Sequence, residues 1–144
     1  MNIARVLSSK GSRVITIQPE QTVRDAVGLL AAHNIGALVV VDRTVRPVGI
    51  LSERDIVRAA AANERVFAEP VGSIMTKNLI IGLPHDELAS VGHTMIERHI
   101  RHLPVMDSGQ LIGIVSIGDV VKAQRDQYLG EVETLQTQLL SDQP

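Results

Sequence analysis

The heptapeptide Gly49-Ile50-Leu51-Ser52-Glu53-Arg54-Asp55 returns 64 residues later as Gly113-Ile114-Val115-Ser116-Ile117-Gly118-Asp119. Each copy closes an apolar run and opens a helix-like stretch with Ser and Asp three apart. The echo runs on outside the heptapeptide: Pro19 answers Pro84, Ile35 answers Ile100 and Asp42 answers Asp107, all at a spacing of 65. One residue fewer in the turn before the second Gly accounts for the step. The chain is therefore one unit of about sixty residues written twice, and a duplication of this kind constrains the fold before any local reading does. A unit of that size buries only a marginal core alone. The two copies are expected to pack as one body across the 144 residues.

Composition excludes several classes of function. Phe67 and Tyr128 are the only aromatic residues, so base stacking of the kind used on single-stranded nucleic acid has no platform. The net charge of −2 lacks the basic footprint of a duplex binder. Cysteine is absent, which removes disulfides, thiolate catalysis and zinc–thiolate sites. No apolar run reaches membrane-spanning length, and the N-terminus has no signal-peptide core. A soluble, cytoplasmic protein is expected, without nucleic-acid or membrane partners.

Along the chain, Ile3 to Lys10 opens the first unit, and Val14 to Ile17 reads as a strand by β-branching. Thr22 caps a helix with Asp25 three residues on. Val23, Ala26, Val27 and Leu30 then form one apolar helix face. Ala37 to Val41 is short and continuously apolar, the pattern of a strand buried on both faces. Val48 to Leu51 returns as the next strand, and a helix from about Glu53 to Ala62 closes the unit. The second copy repeats the order. Leu79 to Ile81, Leu103 to Met106 and Leu111 to Val115 read as strands, Leu88 to Ile96 keeps helical spacing, and a helix runs from Asp119 to about Gln127. Asn63 to Pro70 reads as the linker, and Val71 to Thr76 leads into the second copy. Past Gly130, Val132, Leu135 and Leu139 suggest a short amphipathic tail helix that needs a partner surface. The expected fold is α/β (α+β): two β-α-β-β-α repeats, 8–67 and 71–128, followed by a tail helix over 129–144.

Ser52-x-x-Asp55 and Ser116-x-x-Asp119 are capping boxes on their face, worth about 1 kcal/mol each. Gly three residues before each Ser would let another group approach the strand backbone closely. The turn that follows would present backbone N–H groups and the positive end of a helix dipole. A carboxylate there can accept two hydrogen bonds from a vicinal diol such as a ribose. Anion-binding amides beside a diol-binding acid describe a nucleoside phosphate, and capping is compatible with that use.

The two Gly-x-x-Ser-x-x-Asp segments, the stretch Asn34-Ile35-Gly36-Ala37-Leu38-Val39-Val40-Val41-Asp42, the stretch Arg98-His99-Ile100-Arg101-His102-Leu103-Pro104-Val105 and the lead-in Val71-Gly72-Ser73-Ile74-Met75-Thr76 together resemble a tandem pair of cystathionine-β-synthase (CBS) domains, or Bateman module. The match covers nearly the whole chain and is nearest to stand-alone pairs without an attached enzyme or channel. The resemblance implies a pseudo-two-fold pair that binds AMP, ADP, ATP, NAD or S-adenosylmethionine in the cleft between repeats. It implies that Ser52 and Asp55 face Ile80, Ile81, Ile100, Arg101 and His102, with Pro104 beside them. Ser116 and Asp119 would face Thr16, Ile17, Ile35, Gly36 and Ala37. Adenine would lie between aliphatic side chains. Arg101 and His102 replace Gly36 and Ala37 of the first repeat, so phosphate should favour the Asp55 half. Arg54 and Lys10 are weaker cationic candidates.

His93, His99 and His102 lack a carboxylate or Cys at ligand spacing, so no metal is expected. A Ser116–His102–Asp119 triad lacks a nucleophile elbow. The sequence thus reads as a regulatory, non-enzymatic adenine-nucleotide sensor that signals by conformational or oligomeric change. A homodimer and a regulated protein partner are expected with it. The competing reading is a dimeric scaffold without nucleotide dependence.

Overall fold

The computed structural model describes residues 1–141. Helix α1 (Ile3–Lys10) precedes strand β1 (Thr16–Ile17), helix α2 (Val23–His33), strands β2 (Ala37–Val41) and β3 (Pro47–Ser52) and helix α3 (Glu53–Ala62). The second copy supplies α4 (Leu88–Glu97), β4 (His102–Asp107), β5 (Gln110–Ser116) and α5 (Ile117–Ser141). The mixture of helices and short sheets is the α+β fold that the alternating pattern implied.

In the first sheet β1 runs parallel to β2, and β2 runs antiparallel to β3, with Ile17 opposite Val40 and Leu38 opposite Leu51. All five residues of β2 are buried, as expected of the central strand of a covered sheet. The second sheet keeps only β4 and β5 as an antiparallel pair, with Leu103 opposite Val115. Each sheet backs its own core. One gathers Ile17, Val23, Ala26, Leu30, Leu38 and Leu51 among others. The other gathers Leu88, Val91, Met95, Leu103, Val105 and Val115.

The lead-in segments are exchanged between the copies. Helix α1 stands before the first repeat in sequence, yet Ile3, Val6 and Leu7 complete the second core. Val71 stands before the second repeat and is buried in the first core, with Ile74 and Met75 packed against it. The hydrogen bonds are equivalent. The Val71 and Gly72 N–H groups donate to Gln21 and Pro19 carbonyls, while those of Ile3 and Ala4 donate to Asp86 and Pro84. Each repeat is thereby closed by chain that precedes the other, which ties the two into one body.

Three expectations need correction. Leu79 to Ile81 forms no strand; the edge of the second sheet is reduced to a single parallel bridge between Gly82 and Val105. Gly82 stands where the first repeat has Ile17, and a Cβ there would lie 2.7 Å from Leu103 Cδ2 and 2.8 Å from Ile3 Cδ1. The space that an inward side chain at this position would fill is occupied by Leu103 of β4 and Ile3 of α1. Second, the expected break between a helix near Gln127 and a tail helix does not occur, for α5 runs unbroken through Gly130 to Ser141. A single exposed Gly costs a helix about 1 kcal/mol relative to Ala, too little to stop it between good helix formers. Residues 142–144 of the expected tail lie outside the described residues. Third, the linker is not merely a connector: its short turn Val66–Ala68 buries Val66 in the first core.

Candidate functional site

The capping boxes form as the spacing requires. The Ser52 N–H donates to Asp55 Oδ2 at 2.9 Å, and the Asp55 N–H donates to Ser52 Oγ at 3.2 Å. In the second copy Ser116 N–H donates to Asp119 Oδ2 at 2.8 Å and Asp119 N–H to Ser116 Oγ at 3.0 Å. The first helical amides are not free for an anion. Glu53 N–H donates to the Gly36 carbonyl at 3.0 Å, and Ile117 N–H donates to the Arg101 carbonyl at 2.9 Å. These bonds hold each helix start against the strand entry of its own repeat. They also remove much of the amide cradle that the sequence suggested, so anion binding here has to come from side chains.

The two glycines admit protein, not ligand. A Cβ at Gly49 would lie 2.5 Å from Met75 Sδ and 3.0 Å from the Thr76 carbonyl. One at Gly113 would lie 2.7 Å from Leu7 Cδ2. Met75 and Leu7 are equivalent residues of the exchanged lead-ins. Beyond Met75, Thr76 and Ile50 exchange backbone hydrogen bonds of 2.8 and 3.0 Å along the outer edge of β3. That pairing delivers Thr76 to Asp55, where its hydroxyl donates to Oδ1 at 3.4 Å.

A cleft of about 1110 Å³ opens beside Asp55, with walls from both repeats. It brings together Ser52, Arg54, Asp55, Ile80, Ile100, Arg101 and His102 of the expected site. Ile50, Thr76, Lys77, Arg58, Arg98 and Ile117 line it as well, and sequence reasoning did not place them there. Arg58 had a legible signal, since it lies one helical turn from Arg54 and shares its face. Two expected residues fall elsewhere. Ile81 is 47% exposed and faces a separate hollow of about 420 Å³ beside α4. Pro104 is buried within β4, its carbonyl accepting the Gly82 N–H at 2.8 Å.

The Asp119 half differs. Lys10, at the end of α1, donates from Nζ to the Ile114 carbonyl at 2.8 Å and to Asp119 Oδ2. Burial pushes the Asp119 carboxyl up, but the hydrogen bonds from Lys10 and from the Ser116 N–H, with the ammonium charge, hold it below the usual carboxylate value. Lys10 thus belongs to this half and not to the phosphate side of Asp55. Among the first-repeat residues expected here, Ile17 and Ala37 are buried, Ile35 packs on the first core and Thr16 is half-buried in β1. Gly36 meets His102: a Cβ on it would lie 3.6 Å from His102 Nε2 and 3.6 Å from Glu53 Oε1. The histidine therefore lies at the seam between the halves. Burial first, then the Lys10 charge and that of Arg101, lower its pKa below 6.5 against the pull of Asp119 and Glu53.

Among the described residues no three His, Cys, Asp or Glu side chains converge as metal ligands. No helix there is long and apolar enough to cross a membrane.

A duplicated α+β unit with exchanged lead-ins and a cleft built by both copies defines a tandem-repeat module. The CBS domain family matches it twice, over residues 7–62 and 71–126. The chain belongs to that family. It is 34% identical to the CBS domain-containing protein YhcV of Bacillus subtilis over 85% of this chain and 86% of that one. It is 36% identical to the mitochondrial CBS domain-containing protein CBSX3 of Arabidopsis thaliana, over 92% of this chain and 69% of the relative. A crystal structure of a CBS-domain containing protein from Agrobacterium tumefaciens superimposes with a TM-score of 0.83 at 38% identity, covering 86% of this chain and 99% of that one. A CBS domain pair solved in complex with 5′-methylthioadenosine and S-adenosyl-L-methionine gives 0.77 at 25% identity, covering 88% and 98%.

Proposed function

We propose that this chain is a regulatory module that binds an adenine nucleotide (AMP, ADP, ATP or NAD) in the cleft beside Asp55. Occupancy would be reported through the relative arrangement of the two repeats, by differential affinity for one arrangement. The observation that carries the reading is the Asp55 carboxylate. Its Oδ2 is held by the cap, while among the described residues Oδ1 has only the 3.4 Å bond from Thr76, and Asp55 lines a cleft large enough for a nucleotide. Small-ligand pockets run to about 1,000 Å³. Asp55 would accept the ribose hydroxyls, Ile50, Ile80 and Ile100 would enclose the base, and Arg101 would meet phosphate. The adenosyl ligands of the related CBS pair support the adenosine part of this ligand. No catalytic role is proposed: the Ser52 and Ser116 hydroxyls accept hydrogen bonds inside their own caps.

Calorimetry with AMP and adenosine tests the reading. The expected result is binding of both, tighter for AMP, with Arg101→Ala weakening AMP more than adenosine. Absence of binding by adenosine, AMP, ADP, ATP and NAD alike would overturn it. One further observation favours a homodimer alongside this function. Leu129, Leu135, Leu139 and Leu140 are all half or more exposed on α5. Sedimentation of the full chain and of one cut after Gly130 is expected to show a dimer weakened by the cut; a monomer in both would remove the idea.

A further inference from the structure

We infer that the cleft beside Asp55 selects a polyphosphate ligand, a nucleoside di- or triphosphate, over a nucleoside monophosphate and over any sulfonium nucleoside. The inference rests on the proposed nucleotide reading and names the ligand's charge class. Arg54, Arg58, Lys77, Arg98 and Arg101 all line this one cleft, and the only carboxylate among its lining residues is Asp55. The bias is local. The whole chain carries 14 Lys and Arg against 16 Asp and Glu, with a net charge of −2. The cations also arrive from separate segments of both repeats: one face of α3, the stretch after the exchanged lead-in, and the end of α4 with the turn after it.

Among the described residues, none of the five makes an ion pair with a carboxylate. All five are exposed and partly screened by water, yet like charges gathered around one concavity still build a positive potential in the cleft. A phosphate monoester brings only about two negative charges near neutral pH. It can engage one or two of the five cations and leaves the rest uncompensated. Each further phosphate adds acceptors for another guanidinium or ammonium group. The volume of about 1110 Å³ leaves room for such a chain beyond the nucleoside. A sulfonium nucleoside would instead place a cation among cations, which is unfavourable even through a high dielectric.

The test is calorimetry on the full chain, without divalent cations, with adenosine, AMP, ADP, ATP, NAD, S-adenosylmethionine and inorganic triphosphate. ATP is expected to bind at least about tenfold more tightly than AMP, with ADP between, the size of one or two added charge-assisted contacts. The ATP advantage should shrink as salt rises from low to physiological strength. Lys77→Ala and Arg98→Ala, both at exposed positions, should lower ATP affinity several-fold more than AMP affinity, with unchanged unfolding midpoints. Inorganic triphosphate binding competitively would place the affinity in the phosphates, whereas tight NAD binding would identify a dinucleotide. Equal AMP and ATP affinities, or S-adenosylmethionine binding as well as ATP, would overturn this inference while leaving a nucleotide site in place. Failure of every adenine compound would overturn both readings.

Discussion

The two Ser-x-x-Asp corners share a backbone and differ in what reaches them. In both, Ser and Asp close the same reciprocal bonds, and the first helical amide is tied to an equivalent carbonyl, Gly36 or Arg101. At Asp55 the exchanged lead-in runs along β3 and contributes the neutral hydroxyl of Thr76. At Asp119 the equivalent lead-in is helix α1, whose last residue, Lys10, lays an ammonium group across the carboxylate. One acid lines an open cleft, and the other already has a cation. Duplication copied the corner, and the segments exchanged between the copies made the halves unequal.

The largest expected effect follows directly. Asp55→Ala should weaken nucleotide binding by about 1.5–3 kcal/mol, the loss of a charged hydrogen-bond acceptor. Asp119→Ala should change it by less than about 0.5 kcal/mol, as expected of a site away from the ligand. Isothermal titration of both variants decides the matter. Equal losses would mean that Lys10 does not set the halves apart.

Gly49→Ala and Gly113→Ala probe the packing that creates the difference. Each new methyl would press on a lead-in, Met75 with the Thr76 carbonyl in one case and Leu7 in the other. Overpacking of this kind costs about 1–3 kcal/mol. Gly36→Ala is the control, since its Cβ would meet only ordinary contacts at 3.6 Å. Urea unfolding should show two destabilised variants and one close to the parent. A Gly49 variant as stable as the control would show that the Thr76 edge can shift, and nucleotide affinity should then shift with it.

Much of this arrangement was legible beforehand. The repeat, the caps, α3 over Glu53–Ala62 and the buried strand Ala37–Val41 all follow from local pattern. The cleft that joins Asp55 to Ile100, Arg101 and His102 came instead from the family resemblance. What escaped was non-local. Nothing in Ile3, Val6 or Leu7 says which of two similar cores they enter, because an apolar helix face fits either. No local pattern shows that Leu103 and Ile3 fill the space beside Gly82, next to the missing strand at Leu79–Ile81. Lys10 read as one cation among many until α1 was placed on the second repeat, and Lys77 and Arg98 lie in segments without a period to mark a face.

Lys10→Ala should cost about 1 kcal/mol, the scale of a partly exposed ion pair with good hydrogen bonds. Its pH signature is more specific. The Asp119 carboxyl is held below 3.8 in the folded chain. Its contribution is therefore present above about pH 4 and lost as pH falls through the folded value. Removing Lys10 should flatten the acid limb of stability. The same change at Thr76, beside Asp55, should not. Parallel acid limbs in all three proteins would mean that the Lys10 bridge adds nothing in solution.

The smallest expected effect concerns His102, at the seam between the halves. From sequence, His102 stood with Arg101 on the half expected to favour phosphate. In the structure, burial and the Lys10 and Arg101 charges lower its pKa, against Asp119 and Glu53, which favours the neutral imidazole. About a unit above pH 6.5 neither the folded nor the unfolded chain protonates it appreciably. Below that value the unfolded chain takes up the proton first, so stability is lost as pH falls toward the folded pKa. His102→Asn should remove that slope and cost little at about pH 7.5, well above the titration. The measurement is the thermal midpoint of both proteins at about pH 7.5 and 5.5, on either side of the unfolded value. Equal acid losses would mean that the seam around His102 admits water and that the imidazole titrates normally. His102 would then carry its charge below about pH 6.5 and join the cations that meet phosphate there, and the two halves would differ in acid by one more group than the Lys10 bridge alone supplies.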